Sequence, residues 1–419
     1  MSSPHVAIVG AGHAGGRVAQ HLKALGHAGR VTLIGDEPHA PYERPALSKE
    51  LLLGTKTQDS LVLTSSDYWT LESLTQTGIE RVRASAQKLD VDLRRLHLDN
   101  GASVDFDLLV VATGGLARRP RFLTRPIEGV HVLRTLDDCL ALRSSLEGCR
   151  KLAIVGAGVI GMEVASTAIS LGVPVTVLEA GEGIMGRCLP PQVAGWLAQE
   201  HAGKGVDLRT RINVTNIVRV GEAHRSALAL RIDALQDGVP VSIDADCVLI
   251  AIGVDCNPAF LHGTGLSDER GVRVDTFCRS PFAPWLYAAG DAACTLDSAS
   301  RRHVRQETWR NAENQARAVA EIVTGRTEPY TEIQWMWTDQ LGHAIQVTGV
   351  HEPGDEIVVR GSLSSADATV ISLRDGCVTA GVTVNQSRER RHLERLVSAR
   401  KRIDAGRLAD TSVPLKELA

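Results

Sequence analysis

The sequence lacks any close pair of cysteines. Its eight cysteines, Cys139, Cys149, Cys188, Cys247, Cys256, Cys278, Cys294 and Cys377, are scattered singly. Without C-x-x-C or similar spacing, neither a zinc site nor a local redox disulfide is indicated, and no metal is expected; the cysteines read as small buried residues. No apolar run is long enough to span a bilayer. No basic n-region with a cleavage pattern opens the sequence, so a cytoplasmic protein is expected. An excess of one charge is also missing: 46 Lys and Arg against 49 Asp and Glu leave a net charge of -3, which argues against general nucleic-acid binding. The 419 residues suffice for two or three domains with a substantial core.

What the chain does have is one stretch carried twice. His5 to Gly15 reads HVAIVGAGHAG and Lys151 to Gly161 reads KLAIVGAGVIG. In both, an apolar run rich in Val and Ile meets G-x-G-x-x-G and the pattern switches from strand to helix period. Gly10, Gly12 and Gly15, and again Gly156, Gly158 and Gly161, suit a tight turn, a close backbone approach to a pyrophosphate, and packing of the next helix on the strand. The pyrophosphate would sit on the positive end of that helix.

Each loop is followed by an acid. Val31 to Ile34 reads as a second strand running into Gly35, Asp36 and Glu37, where Asp36 either accepts the hydroxyls of an adenosine ribose or belongs to a solvated turn. Val175 to Leu178 likewise ends in Glu179, a carboxylate that would bind a ribose 2′-hydroxyl and repel a 2′-phosphate, favouring NADH over NADPH; Arg187 nearby works against that preference. Pro38, Pro41 and Pro45 stiffen a loop holding Arg44 and Lys49, which are either ordinary surface cations or partners of an anion. The strand Phe106 to Ala112 enters Thr113, Gly114 and Gly115, another signal of close backbone approach.

The ordered set GAGHAG, GDEPHAPYERPALSK, VVATGG, GAGVIGME, YAAGD and ETWRNAENQ closely resembles the FAD-dependent pyridine-nucleotide ferredoxin reductases. These are the reductase components of bacterial ring-hydroxylating dioxygenase and cytochrome P450 systems, of the putidaredoxin and rubredoxin reductase type. The resemblance runs from about His5 to Val350 and weakens beyond. It implies an α/β fold with two Rossmann-like dinucleotide-binding domains in a glutathione-reductase-like architecture, plus a C-terminal α+β domain. The expected boundaries are 1–115 with 245–325 for FAD, 116–244 for NAD, and 326–419 for the last domain.

Position by position, the resemblance places FAD on Gly10, Gly12, Ala14 and Gly15, with Asp36 on its ribose and Arg44 and Lys49 along the cofactor. Lys49 falls near the flavin N5, where a cation steadies developing negative charge. Val82, Thr113, Gly114, Arg134, Gly290 and Asp291 complete the FAD set; Asp291 would accept a ribityl hydroxyl while a following helix offers its amides. Ala46 departs from the family, which usually has a second Pro there. Gly156, Gly158, Val159, Ile160, Gly161, Glu179, Arg187 and Gly253 fall to NAD, and the A-I-G-V-D-C-N-P run leads back to the FAD domain.

Glu163 is either a first-turn acid favoured by the helix dipole or, by resemblance, a nicotinamide neighbour paired with Lys49 across domains. Glu307, Thr308 and Trp309 start a helix running to about Val323 and, by resemblance, border the flavin ring and the nicotinamide, with Trp309 either stacking there or packing in the core. Trp335 and Trp337 share one face of an extended segment, and Trp337 falls where the family places an aromatic near the flavin. From Tyr330 on, alternating strands precede an amphipathic helix with Leu393, Leu396 and Val397 inward.

The implied reaction is hydride transfer from NADH to FAD, then single-electron transfer to a 2Fe-2S ferredoxin, Rieske-type or plant/adrenodoxin-type, serving an oxygenase. Lys49 and Glu163 are the expected catalytic residues, in a monomer or homodimer. Two basic clusters, Arg301, Arg302 and Arg305, and Arg388, Arg390, Arg391, Arg395, Arg400, Lys401 and Arg402, are either ferredoxin-steering faces or solvated surface. Same-fold alternatives are a rubredoxin reductase, an NADH oxidase or a signalling flavoprotein. An oxidase would need a peroxidatic cysteine where Leu47, Ser48 and Lys49 stand.

Overall fold

In the computed structural model, residues 3–220, 229–256, 258–297 and 301–419 are described. Asn257 of the A-I-G-V-D-C-N-P run lies outside them. The chain forms two compact units. The first comprises Met1–Pro45, Thr57–Leu116 and Val254–Glu332; the second comprises Ala46–Lys56, Ala117–Gly253 and Ile333–Ala419.

The first unit is built on a five-stranded sheet in the order Leu286–Ala288, Leu108–Val111, Val6–Val9, Val31–Gly35, Ile79–Arg83. Every pairing is parallel. Side chains alternate across it, so Val6 and Ile8 join one core with Val18, Leu22 and Val319, while Ala7 and Val9 join another with Val111, Leu286 and Trp285. A strand buried on both faces must be apolar throughout, which is why these strands read as unbroken Val/Ile/Leu runs. The helices His13–Ala24 and Trp309–Val323 lie together on the first of those faces, and Ala86–Asp90, Arg95–Leu98 and Ser103–Asp105 form a three-stranded antiparallel meander.

The second unit repeats this plan. Its parallel sheet runs Asp207–Arg209, Val175–Leu178, Leu152–Val155, Cys247–Ile250, Val130–Val132. Its own meander is Ile212–Arg219, Leu230–Gln236 and Val239–Ala245. The duplication therefore extends from the glycine stretch to four of the five strands; the fifth, Leu286–Ala288 in one sheet and Val130–Val132 in the other, comes after the glycine strand in the first unit and before it in the second. A five-stranded antiparallel sheet follows, ordered Trp335–Gln340, His343–Gly349, Cys377–Val384, Asp367–Arg374, Glu356–Ser362. The helix Arg390–Ala399 lays Leu393 and Leu396 into its core.

Three expectations shift. Cys247–Ile250 pairs with Leu152–Val155, so the boundary expected at 244 falls inside the second unit, whose stretch ends at Gly253. Tyr330 is buried in the first unit's core and donates to Asn311 Oδ1 at 2.9 Å, which carries that unit past residue 325. No helix follows Gly290 and Asp291 directly: they form a 3-10 turn that runs into the strand Ala293–Leu296.

Asp355, with a side chain 2% exposed, is fixed by Arg374 Nε and Nη2 at 2.8 and 3.1 Å and by the Glu352 N–H at 2.9 Å. Burial pushes its carboxyl up, but these donors and the Arg374 charge leave it below its ordinary value. A depressed carboxyl stabilises the fold fully above the unfolded-chain pKa, and that contribution disappears as pH falls through the lower folded value. Arg374→Met is expected to cost about 1–3 kcal/mol at neutral pH, and the deficit in urea midpoint should shrink in acid. A deficit unchanged with pH would contradict this account.

Candidate functional site

In each parallel sheet the chain order reverses at the glycine-loop strand. The next strand of the sheet in chain order flanks it on one side and a later strand on the other. Such a switch point leaves a crevice beyond the strand ends where ligands bind, and both glycine loops stand at theirs.

The glycines are held for two different reasons. Gly10 adopts φ +111° with a Cβ position 2.2 Å from Ala112 O, and Gly156 adopts φ +104° with one 2.5 Å from Ala251 O. A Cβ on Gly15 would lie 1.8 Å from Gly10 O, and one on Gly161 2.1 Å from Gly156 O. The fold itself therefore requires the outer two glycines of each loop. The middle ones differ, since among the described residues a Cβ on Gly158 would meet no atom within 4 Å and one on Gly12 only the Arg44 guanidinium, at 3.4 Å. A position that is glycine without pressure from its own fold suits a ligand approaching the backbone, and the residues present fit a dinucleotide pyrophosphate.

Around the first loop, Gly35 packs so closely on Ala11 that a Cβ would lie 2.5 Å from the Ala11 Cβ. Exposed Asp36 follows directly. Glu37, singled out by no sequence signal, accepts from the Tyr42 hydroxyl and from Arg44 Nη2, each at 2.6 Å. This holds the Arg44 cation over Gly12. Gly290, at φ +70°, comes within 3.0 Å of the Ala14 Cβ by its Cβ direction, and its N–H donates to Gln315 Oε1 at 2.9 Å. The Gly290–Asp291 turn thus abuts the first loop, with Asp291 half-buried.

Thr308 caps the helix Trp309–Val323 by accepting from the Asn311 N–H at 3.1 Å. Glu307 pairs with Arg305 at 2.6 Å. Trp309 sets its ring edge-on to His13 of the loop at 5.4 Å. Thr113 and Gly114 follow Ala112, whose carbonyl faces Gly10, and Val82 pairs with Ile34 in the sheet.

Around the second loop, Glu179 is already engaged with backbone. Its Oε2 accepts from the Ala157 N–H and its Oε1 from the Gly181 N–H, both at 2.7 Å. The carboxylate is thus pinned beside the loop with a fixed orientation. Val159 and Ile160 open the helix Val159–Ser170 half-buried, and Arg187 is exposed. Gly253, at φ +115°, accepts from the Arg118 N–H at 2.9 Å. Arg134 belongs to this unit, where its N–H donates to Asp138 at 3.0 Å in front of the helix Leu136–Leu146.

Glu163 is 4% exposed on the first turns of the helix Val159–Ser170. Lys49 Nζ stands 3.2 Å from its Oε1, the Ser48 hydroxyl donates to its Oε2, and Thr338 Oγ1 donates to its Oε1 at 2.8 Å. The ion pair expected to cross domains lies within one unit. Segment Ala46–Lys56 is retained there by Thr167 Oγ1 on Ser48 O at 2.8 Å and Cys139 Sγ on Leu47 O at 3.1 Å.

Trp337 offers its ring to Lys49 Nζ at 5.3 Å and stacks on Trp335, also at 5.3 Å. Sequence reasoning passed over Ser48, Thr338 and Gln340. The signal for the last two was the same period-two alternation that paired the tryptophans, which leaves a polar Thr and Gln together on the other face of that strand.

Burial pushes the Glu163 carboxyl above its ordinary value, against Lys49 and the hydroxyls of Ser48 and Thr338. His201, fully buried behind it, is pushed down by burial, which favours the neutral ring. Among the described residues no cluster of His, Cys, Asp and Glu is arranged to hold a metal, and no helix is long and apolar enough to cross a membrane. None of the eight cysteines is joined in a disulfide.

Residues 4–316 match the family model for pyridine nucleotide-disulphide oxidoreductases, and residues 335–419 match the reductase C-terminal family. The chain is 36% identical over 415 residues to the ferredoxin–NAD(+) reductase component of the p-cumate 2,3-dioxygenase system of Pseudomonas putida, across 99% of this chain and 98% of that protein. It is 35% identical over 415 residues to the ferredoxin–NAD(+) reductase component of the biphenyl dioxygenase system of Paraburkholderia xenovorans, across 99% of this chain and 98% of that one. Among solved structures, the covalent putidaredoxin reductase–putidaredoxin complex is similar with a TM-score of 0.92 and 31% identity, across 100% of this chain and 98% of that one.

The raised Glu163 carboxyl has a definite sign. Its ionisation is easier in the unfolded chain, so its contribution to stability is complete below the ordinary carboxylate pKa and is lost as pH rises through the folded value. Lys49→Met removes the opposing cation and should cost about 2–4 kcal/mol at neutral pH but little in mild acid. Glu163→Gln in the same background should remove that pH dependence. Denaturation curves in which Lys49→Met tracks the parent at every pH would contradict the buried pair.

Proposed function

The chain belongs to the pyridine nucleotide-disulphide oxidoreductase family, and we propose that it is an NADH-dependent flavoprotein reductase passing electrons to a 2Fe-2S ferredoxin that serves an oxygenase. One observation carries the reading. A single chain places two glycine loops at two switch points, each with a middle glycine that the fold itself does not require, and its whole length follows that of ferredoxin–NAD(+) reductases.

In this reading the domains for FAD and NAD are the two parallel-sheet modules. Gly10, Gly12, Ala14 and Gly15 cradle the FAD pyrophosphate, with the Arg44 cation over them. Asp36 serves the adenosine ribose, while Asp291, Thr113, Gly114, Val82 and Arg134 serve the rest of the cofactor, with Glu307, Thr308, Trp309 and Trp337 at the flavin ring. Gly156, Gly158, Val159, Ile160 and Gly161 cradle the NADH pyrophosphate, and Glu179, Arg187 and Gly253 border its adenosine end. When bound, FAD supplies the acceptance of a hydride and its release as single electrons. The protein supplies orientation. Lys49 presents a cation that Glu163 holds in place, and neither residue needs to move a proton.

Leu47, Ser48 and Lys49 stand where an oxidase would carry its cysteine, and the scattered cysteines offer no close pair to act as a dithiol relay, which favours a protein as the electron acceptor. Exposed Arg301 and Arg302, and exposed Arg391 and Arg395 on the helix Arg390–Ala399, offer positive charge to an acidic ferredoxin. A cytoplasmic monomer or homodimer completes the proposal.

Because Glu179 fixes a negative charge beside the second loop, NADPH should reduce the flavin at least about tenfold more slowly than NADH. Glu179→Ala should narrow that gap. Comparison of both nucleotides with a panel of 2Fe-2S ferredoxins and rubredoxins tests the whole reading. Equal rates with the two nucleotides would remove the role of Glu179, and turnover on oxygen as fast as on any ferredoxin would contradict the partner.

A further inference from the structure

Glu163 is one end of a buried row of polar side chains. Its Oε1 accepts from Thr338 Oγ1 at 2.8 Å, Thr338 Oγ1 accepts from Gln340 Nε2 at 2.8 Å, and Gln340 Oε1 faces His201 Nε2 at 2.9 Å. Thr338 and His201 are fully buried and Gln340 is 1% exposed. Three elements contribute: Thr338 and Gln340 share a face of the strand Trp335–Gln340, His201 sits in the last turn of the helix Pro191–Gly203, and Glu163 opens the second loop's helix. Polar side chains in such a place are costly unless they satisfy one another.

The row has a direction. Gln340 Nε2 also reaches Met185 Sδ at 3.4 Å, so the amide nitrogen is committed to Thr338 and Met185 and the amide oxygen is left to accept. His201 Nε2 must then carry the proton it donates. His201 Nδ1 has no hydrogen-bond partner among the described residues, and an unprotonated nitrogen there buries no orphan N–H. Turning the amide over would reverse everything. Gln340 would donate to His201, the His201 proton would move to the partnerless Nδ1, and the Thr338 hydroxyl would have to donate to Gln340, leaving Glu163 without it.

We propose that His201, Gln340 and Thr338 form a one-way hydrogen-bond relay that orients the Glu163 carboxylate toward Lys49, and that the three are positioning residues for hydride transfer. The consequence for catalysis rests on the proposed function of Lys49 and Glu163; the relay itself is a property of the fold.

The two parts are tested separately. In the purified full-length protein with nitrogen-15-labelled histidine, the His201 resonance, assigned by its loss in His201→Gln, should show the ring protonated at Nε2. A ring protonated at Nδ1 overturns the relay. In the flavin-loaded protein, Thr338→Val should lower the limiting rate of flavin reduction about tenfold with the NADH dissociation constant within about twofold, and Thr338→Ser should restore the rate. Should Thr338→Val not fold, Gln340→Glu gives the same test, because it keeps the volume and the His201 partner but presents a carboxylate that cannot donate to Thr338. An unchanged limiting rate in the folded variants overturns the positioning role. A parent protein that binds no flavin, or is not reduced by NADH, would sink the proposed function and leave the relay to be decided by the His201 tautomer.

Discussion

A buried carboxylate governs the second unit. Removing Glu163 from water costs several kcal/mol unless a cation and further donors meet it. The chain meets it with Lys49, Ser48 and Thr338, drawn from two stretches that are each more than a hundred residues away. This explains why Ala46–Lys56 belongs with the second unit although its neighbours on both sides belong to the first. It also explains why the Trp335–Gln340 strand carries polar residues on a buried face. Lys49 is in turn confined by the Trp337 ring and by Asp339 at 4.0 Å, so a flexible cation becomes a fixed one.

The two parallel sheets show how one plan is adapted to two tasks. Their strand orders correspond except at one edge, and the outer glycines of both loops are required by the same backbone approach. They diverge at the end of the second strand. There Gly35 lets the first loop pack against it, and Arg44, held by Glu37, stands over Gly12. In the second copy Glu179 takes the place of Gly35 and binds the loop through the Ala157 N–H, and among the described residues no cation is set above Gly158. A fixed cation over one pyrophosphate cradle and an open cradle in the other accord with a tightly held FAD and an exchanging NADH.

Much of this was legible in the sequence because it is local. The Val/Ile runs before each G-x-G-x-x-G, the Thr308 cap, the Trp335 and Trp337 alternation and the amphipathic Arg390–Ala399 helix are all set within a few residues. The resemblance to ferredoxin reductases, carried by ordered motifs, agrees with relatives matched over nearly the full chain. What was not legible depends on distant pairing. Cys247–Ile250 joins the second sheet only through its register with Leu152–Val155. Arg44 is taken by Glu37, which lies past the end of the strand Val31–Gly35 where no periodic pattern sets the direction of a side chain. Nothing near Glu163 in sequence announces Thr338 or His201, and the turn at Gly290 runs into a strand because Ala293–Leu296 finds a partner in Val272–Val274.

The central claim is that the first glycine loop holds FAD, the second binds NADH, and hydride passes beside the Lys49–Glu163 pair. Anaerobic rapid mixing of the purified, flavin-loaded protein with NADH tests it most directly. The account predicts rapid loss of the oxidised flavin absorbance, saturating with NADH, and a marked slowing in Lys49→Met with little change in nucleotide affinity. A protein that is colourless as purified and takes up no FAD, or whose flavin NADH leaves oxidised, would contradict it.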